Sequence, residues 1–292
     1  MELIVIVLLP IHLLKRLSLG LINMKIRKNS EILETSLTSN GVLRLNLNSP
    51  ENLNALSENM IDLMQKNIDK GGSDKNVRVI IISAEGTTFS SGHDLKELKK
   101  ARKNSDRGRK YYSKIMNKCS KMMQSIINNP KPVIAEVGGI ATAAGCQLVA
   151  SCDLAYANTS AKFATPGVNI GLFCSTPMVA ISRNLSNKHS MEMLLIGELI
   201  SSEKAAAIGL INEVSQEDKL KNFVLNKAIK ISKKSAVTLK IGKHAFYKQI
   251  DMKLSDAYDY ASQTMVDNML KLDAKEGIDA FINKRKPKWQ DK

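Results

Sequence analysis

The 292-residue chain holds few of the residues that would cross-link it or let it stack on nucleic acid. Its four cysteines, Cys119, Cys146, Cys152 and Cys174, fall at irregular spacings and make no C-x-x-C pair. That excludes a zinc ribbon and a disulfide framework and suits a reducing compartment. Aromatic residues are only 4% of the chain, with one tryptophan. Nucleic-acid modules interleave stacking aromatics with a dense basic stripe, whereas here the lysines are spread among acids along the chain. No nucleic-acid partner is expected, although 43 Lys+Arg against 28 Asp+Glu leave a net charge of +15; such a surface favours a polyphosphate ligand. Long apolar runs are missing too. The stretch from Leu3 to Leu14 falls short of the about 20 residues that a membrane span needs, so no stable membrane insertion is expected.

What remains is ordinary for a globular protein: 43% hydrophobic and 24% charged residues. A chain of this length buries about three quarters of its unfolded surface and needs no metal or disulfide staple. The beginning is unusual. From His12 to Ser30 the chain carries Lys15, Arg16, Lys25, Arg27 and Lys28, no acid, and several leucines between. A basic, acid-free, amphipathic segment suggests an organelle presequence over residues 1–30, most simply mitochondrial and directed to the matrix. A plain disordered tail is the alternative. A secretory signal would place positive charge before the apolar run, where Glu2 stands.

After residue 30 strand and helix patterns alternate, which predicts an α/β layered fold. Gly41 to Leu47 reads as a strand, and Ser57 caps a helix bearing Met60, Ile61, Met64 and Ile68 that Gly71-Gly72 stops. Val77 to Ile82 is a continuous β-branched run, hence a buried strand. Tyr112, Ile115, Met116, Cys119, Met122, Met123, Ile126 and Ile127 form one helical stripe that reads as core. Pro132 to Val137 is a further strand, Ala143 to Ser151 a tightly packed helix, and Leu154 to Ala157 a strand again. Beyond Pro177 the pattern is helical only, with one helix expected over Leu254 to Leu272, and this suggests a carboxy-terminal helical region that needs a partner surface.

Two segments bear on chemistry. FSSGHDLKEL, residues 89–98, follows a strand and is small and glycine-containing, so backbone can approach a ligand; Asp94 and Glu97 also suit the capping of a short helix. GGIATAAGCQ, residues 138–147, lies between a strand and a helix, a junction that points free N–H groups and the positive helix end toward an oxyanion or phosphate. Close packing alone also explains its small residues. It matches neither the P-loop nor the G-x-G-x-x-G fingerprint, which excludes nucleotide triphosphates and dinucleotides on their own motifs.

Together with KPVIAEVGGIATAAGCQLVASCDLAYA at 131–157, KFATPGVNIGLF at 162–173, ISSEKAAAIGLINEV at 200–214 and EGIDAFINKRKPKW at 276–289, the segment SSGHDLKEL at 90–98 resembles the crotonase superfamily, the enoyl-CoA hydratase/isomerase family. The resemblance runs from about Ile32 to Trp289. It implies a spiral of β-β-α turns over 31–230 that binds acyl-CoA, and an oligomerising helical region over 231–292 that assembles trimers or hexamers. It also implies that the coenzyme A thioester is the ligand, with no separate cofactor and no metal. By motif, the oxyanion hole falls on the backbone N–H groups of His93 and Ala144, and contacts to the acyl-CoA fall on Ser91, Lys96 and Lys284.

One part of the pattern breaks. Where hydratases of the family carry two glutamates, this chain has Gln147 and Gly167. A glutamine exchanges no proton near neutral pH, and a glycine has no side chain. Each general acid or base is worth about 10²–10⁴-fold, so the resemblance implies an acyl-CoA-binding protein of mitochondrial fatty acid metabolism with little hydratase activity. A second reading keeps an active acyl-CoA enzyme, a weak hydratase/lyase, isomerase or hydrolase, that uses an unassigned acid or base, with His93, Asn169 and Cys174 expected to line its pocket. A third makes the chain a structural or RNA-associated homologue. Asp153 is expected to be structural.

Overall fold

A computed structural model describes residues 25–30, by their backbone, and 32–292. Most of the expected presequence therefore lies outside the described residues; its last six, Lys25–Ser30, form a strand on the sheet edge. The larger sheet has the order β1 (Lys25–Ser30), β2 (Leu33–Leu37), β3 (Val42–Leu47), β4 (Val79–Ala84), β6 (Val133–Val137), β8 (Leu154–Asn158), β11 (Glu213–Ser215). A smaller sheet runs β10 (Ile200–Ser201), β9 (Lys162–Ala164), β7 (Ile140–Thr142), β5 (Thr88–Ser90). From β4 to β9 the chain alternates between the two sheets, and β4, β6 and β8 are mutually parallel, as are β5, β7 and β9. That is a spiral of strand-strand-helix turns, as the resemblance implied.

The helices are α1 (Glu58–Ser73), α2 (Leu95–Ala101), α3 (Arg109–Ile127), α4 (Ala144–Ser151), α5 (Ser175–Ile181), α6 (Asn187–Ile196), α7 (Ser202–Ala207), α8 (Leu220–Ser232), α9 (Ala236–Gln249), α10 (Leu254–Met269) and α11 (Leu272–Ile282). Strand β4 shows why its run Val79 to Ile82 is continuously apolar. Ile80 and Ile82 join Met60, Met64, Met122 and Ile126 in the core, while Val79 and Ile81 face Val224 and Ala228 of α8. A sheet covered on both faces has no solvent side to make polar. Each such side chain contributes about 1.5–3 kcal/mol on burial.

The structure corrects three expectations. Gly71-Gly72 does not stop α1, which continues to Ser73; a Cβ on Gly71 would lie 2.7 Å from Leu43 Cδ2, so the glycine lets the helix press on the sheet. Strands do not end at Pro177, because β10 and β11 follow it; at two and three residues they are too short to show periodicity. The helix expected over Leu254 to Leu272 is two, since the chain turns at Leu270 and Lys271 between α10 and α11.

A buried polar knot ties α9 to the spiral. Lys243 Nζ donates to Asp153 Oδ2 at 2.7 Å and to the Ile126 and Lys131 carbonyls at 2.9 and 3.0 Å. Tyr247 Oη donates to Asp153 Oδ1 at 3.0 Å, and the Val133 N–H to Asp153 Oδ2 at 2.7 Å. Asp153 is structural, as expected. Burial pushes its carboxyl up and the Lys243 ammonium down, and their mutual attraction opposes both shifts. Beyond this knot α9 and α10 contain no buried residue, and Leu254, Tyr258, Met265, Leu270 and Phe281 are exposed.

Candidate functional site

The two segments singled out in the sequence meet. Leu56 and His93 form a parallel bridge in which the Leu56 N–H donates to the Gly92 carbonyl at 2.7 Å, so that the His93 N–H points away from Leu56. On the other side Gly92, at φ +90°, abuts the start of α4: a Cβ there would stand 2.9 Å from Ala143 Cβ and 3.0 Å from Ala144 N. Thr142 Oγ1 donates to the Ser91 carbonyl at 3.2 Å and fastens the two loops together. Gly145 allows the same approach one residue on, since a Cβ would lie 2.2 Å from the Ser90 carbonyl oxygen. Close packing thus does account for part of the small-residue run.

Packing does not account for all of it. Ala143, preceding α4, has φ 50° and ψ −119°, a conformation that costs a residue with a Cβ on the order of 1–3 kcal/mol. No side chain caps α4, and the first N–H groups of a helix have no intrahelical acceptor. The helix end is therefore a set of free donors with a positive field, standing beside His93.

These residues line a cavity of about 530 Å³, well within the range of small-molecule sites. Ser91, His93 and Ala144 form one side, Gly167, Asn169 and Cys174 another, and Leu95, Leu98, Met116, Ile170, Leu172 and Phe173 give it an apolar lining. Asp94 caps α2, its Oδ1 accepting from the Lys96 and Glu97 N–H groups at 2.8 and 3.3 Å, as the sequence suggested. Glu97 Oε2 accepts from Tyr111 Oη at 2.9 Å and the Glu58 N–H at 3.0 Å, which holds the segment in place. Opposite, the Leu172 N–H donates to the Gly167 carbonyl at 2.9 Å and closes the loop. Cys174 Sγ would lie 2.9 Å from a Cβ on Gly167, so the thiol fills the space into which a side chain at 167 would project.

Gln147 follows Ala143 and Ala144 on α4 by four and three residues, which places it on their face. It is 4% exposed, and its Oε1 accepts no hydrogen bond. Both ring nitrogens of His93 are also buried without a hydrogen-bond partner. Burial lowers the imidazole's pKa, against smaller opposing effects of the Leu56 backbone and Glu97, so the ring is neutral at pH 7. The Cys174 thiol is pushed up by burial, with a smaller opposing hydrogen bond from the Gly167 backbone.

The two lysines proposed for the ligand stand elsewhere. Lys96 is exposed on α2, beside the lining residue Leu95, and Lys284 follows α11 with φ 51°, away from this chain's cavity lining. Sequence reasoning missed that Met116, a member of the helical stripe packed against the core, also lines the cavity, and it missed the apolar wall at 170–173. No periodic signal marks residues of an irregular loop.

The enoyl-CoA hydratase/isomerase family matches residues 37–292. Enoyl-CoA hydratase domain-containing protein 3, mitochondrial, of Xenopus laevis is 47% identical over 268 residues, covering 90% of each chain. The Homo sapiens protein of that name is 47% identical over 264 residues, 90% of this chain and 86% of its own. A crystal structure of human enoyl Coenzyme A hydratase domain-containing protein 3 superposes with TM-score 0.82 at 45% identity, over 91% of this chain and 99% of that one. One of a Mycobacterium smegmatis enoyl-CoA hydratase gives 0.84 at 42%, over 89% and 99%. A spiral of two interleaved sheets, a cavity between the two expected loops and a match over most of the length agree: the chain belongs to the enoyl-CoA hydratase/isomerase (crotonase) family.

Proposed function

We propose that this protein binds acyl-CoA thioesters in mitochondria, within fatty acid metabolism, and hydrates enoyl-CoA slowly or not at all. The observation that carries the reading is the coexistence, around one cavity, of Ala144 and His93, whose N–H groups are free, with Gly167, while Gln147 lies buried on the helix that Ala144 begins. The donors suit a thioester oxygen, which gains negative charge as the adjacent carbon acquires carbanion character; prepositioned N–H groups stabilise such an oxyanion by several kcal/mol. Proton transfer to and from water is another matter. An amide exchanges no proton near neutral pH and a missing side chain has none to exchange, and the loss of two general acid/base groups lowers the rate by about 10⁴-fold or more. Relatives named mitochondrial and the basic, acid-free beginning of the chain support the location. The exposed apolar residues of α10 and α11 support assembly into a trimer or hexamer, in which Lys284 of one copy would meet ligand phosphates.

Calorimetric titration with saturated acyl-CoAs of increasing length should give saturable binding, while loss of enone absorbance from 2-butenoyl-CoA stays near background. Absence of binding at every length would overturn the proposal. Turnover at ordinary enzyme rates would overturn its second half and favour an active acyl-CoA enzyme, the reading supported by the presence of neutral His93 and Cys174 in the same cavity.

A further inference from the structure

Lysines occur along the whole chain, but its excess of positive charge is concentrated. Residues 96–121, which run through α2, the connection after it and most of α3, hold eleven Lys or Arg against two acids, Glu97 and Asp106, and so supply +9 of the net +15. Among the described residues only Lys114 and Lys118 of the eleven form salt bridges, with Glu58 and Asp62 of α1. The two acids of the stretch are engaged with other groups. Asp106 accepts from the Gly108 and Lys110 backbone N–H groups at 3.0 and 2.9 Å, and Glu97 accepts from Tyr111 Oη and the Glu58 N–H. Lys99, Lys100, Arg102, Lys103, Arg107 and Lys110 are exposed, and successive turns fix the backbone that carries them. The N–H groups of Arg102, Lys103, Asn104 and Arg107 donate to the carbonyls of Leu98, Lys100, Ala101 and Asn104 at 3.2, 3.1, 3.0 and 2.9 Å. Like charges held together in this way repel one another and lower stability, and nothing in the packing requires them.

The cluster suits a polyanion recognised by charge alone. Its two aromatic rings are half-buried and engaged, Tyr111 with Glu97 and Tyr112 Oη with the Leu98 carbonyl at 3.1 Å, so none is free for the base stacking that single-stranded nucleic acids use. Between Lys99 and Lys110 the one apolar side chain is Ala101, 6% exposed, so the stretch lacks the anchor that centres a protein–protein interface. The anionic face of a bilayer needs neither, and a cluster of about four to eight Lys/Arg is enough to hold it. The cluster also adjoins the cavity rim. Leu95 and Leu98 of α2 and Met116 of α3 line the cavity; Leu95 is 55% exposed, and Ile170 and Leu172 on the facing wall are 59% and 55% exposed. Cations beside an apolar rim are the composition of surfaces that rest among lipid headgroups. We propose that the α2–α3 segment docks the protein peripherally on an anionic phospholipid surface, with the cavity rim turned to the bilayer. Docking of this kind needs no spanning helix, and no described helix is long and apolar enough to be one.

Cosedimentation of the full chain with vesicles of phosphatidylcholine, with and without phosphatidylglycerol, tests this. Binding should require the anionic lipid and weaken steeply as salt rises from low to physiological strength. Lys103→Gln/Arg107→Gln/Lys110→Gln should weaken it roughly 100-fold, from the removal of three charges near the surface, with no fall in Tm. Lys188→Gln/Lys204→Gln/Lys230→Gln, which takes the same charge from exposed positions elsewhere, should change it less than threefold. Both variants keep the basic beginning of the chain, so its contribution is the same in each. Absence of binding to the anionic vesicles would overturn the proposal, and equal losses in the two variants would overturn the assignment to the α2–α3 segment. Retention of single-stranded RNA or polyglutamate at physiological salt, without binding to the vesicles, would replace the lipid surface by a nucleic acid or an acidic protein.

Discussion

Substitution of Gly167 measures how firmly the cavity wall is set. Its φ is not in the left-handed region, so an alanine there meets a problem of space alone. The added Cβ would stand 2.8 Å from the Leu172 carbonyl oxygen, 2.9 Å from Cys174 Sγ and 3.3 Å from Cys174 N, all inside the 3.4 Å at which ordinary contact begins. Two of the three atoms are backbone, and the loop that carries them is closed by the 2.9 Å bond from the Leu172 N–H to the Gly167 carbonyl. Overpacking of this kind costs about 1–3 kcal/mol, and in a protein of this size each kcal/mol lowers Tm by about 2–4 °C. Gly167→Ala should therefore melt about 2–12 °C below the native protein in a thermal shift assay. Gly138→Ala, whose Cβ would have nothing within 4 Å, should show no fall. It follows that Gln147→Glu/Gly167→Glu should gain less than tenfold in hydration of 2-butenoyl-CoA, since a glutamate at 167 starts inside the 172–174 loop. Further substitution of Cys174→Ala, which removes the sulfur but not the carbonyl, should raise that rate. Native melting of Gly167→Ala together with ordinary hydration rates in the double variant would refute the reasoning.

Three further perturbations have defined outcomes. Lys243→Met leaves Asp153 buried without its cation and should cost about 3–5 kcal/mol in chemical denaturation, with Asp153→Asn added to the same chain recovering part of the loss. The lowered pKa of His93 means that the folded protein takes up its proton later than the unfolded chain; stability should be fully present above pH 6.5 and fall as pH drops below it, a loss that His93→Gln should lack when Tm is compared at pH 7.5 and 5.5. Removal of residues 289–292 should lower Tm, because it strips Asp273, 1% exposed, of the Gln290 and Asp291 N–H donors at 2.7 and 3.0 Å and deprives α9 of the Asp291 carboxylate that accepts the Ala236 N–H at 2.8 Å; unchanged melting would show that the tail contributes nothing to the helical region.

The parts of the fold that were legible in the sequence are those whose burial imposes a period. The α3 stripe and the buried run of β4 are of this kind; the stripe lies within α3, and β4 begins and ends two residues later than the expected Val77 to Ile82. The smaller sheet was not legible, because β5, β7 and β9 have three residues each and their pairing depends on glycines such as Gly139, where a Cβ would lie 2.2 Å from the Thr87 carbonyl oxygen. Gly71 misled for a related reason: a glycine that ends a helix and one that lets it sit closer to a sheet look alike in sequence. At the site, motif resemblance supplied the two loops but not what fills the cavity. The place of Cys174 against Gly167 and the unmet amide of Gln147 are relations between side chains distant in sequence, which spacing does not encode.

The competing account of residues 141–145, that they are small only to permit packing, can be weighed against the geometry. Packing explains Gly145 and Gly92, each of which stands where a side chain would strike backbone or a neighbouring methyl. It does not explain Ala143. A strained φ of 50° and ψ of −119° brings no neighbour closer that an ordinary turn could not accommodate with a glycine, and it sets the direction of the peptide that follows, the one whose N–H belongs to Ala144. Strain of this sort persists where the surrounding structure over-determines it, and it gathers at ligand sites. Here the over-determination is visible: the Ala143 N–H donates to the Ala164 carbonyl at 3.0 Å, its carbonyl accepts from the Gln147 N–H at 3.0 Å, and Thr142 is tied to Ser91. A cavity kept only by loose packing would not hold one peptide in an unfavourable conformation by three bonds, so the orientation of the Ala144 N–H is the feature the local structure is organised to maintain.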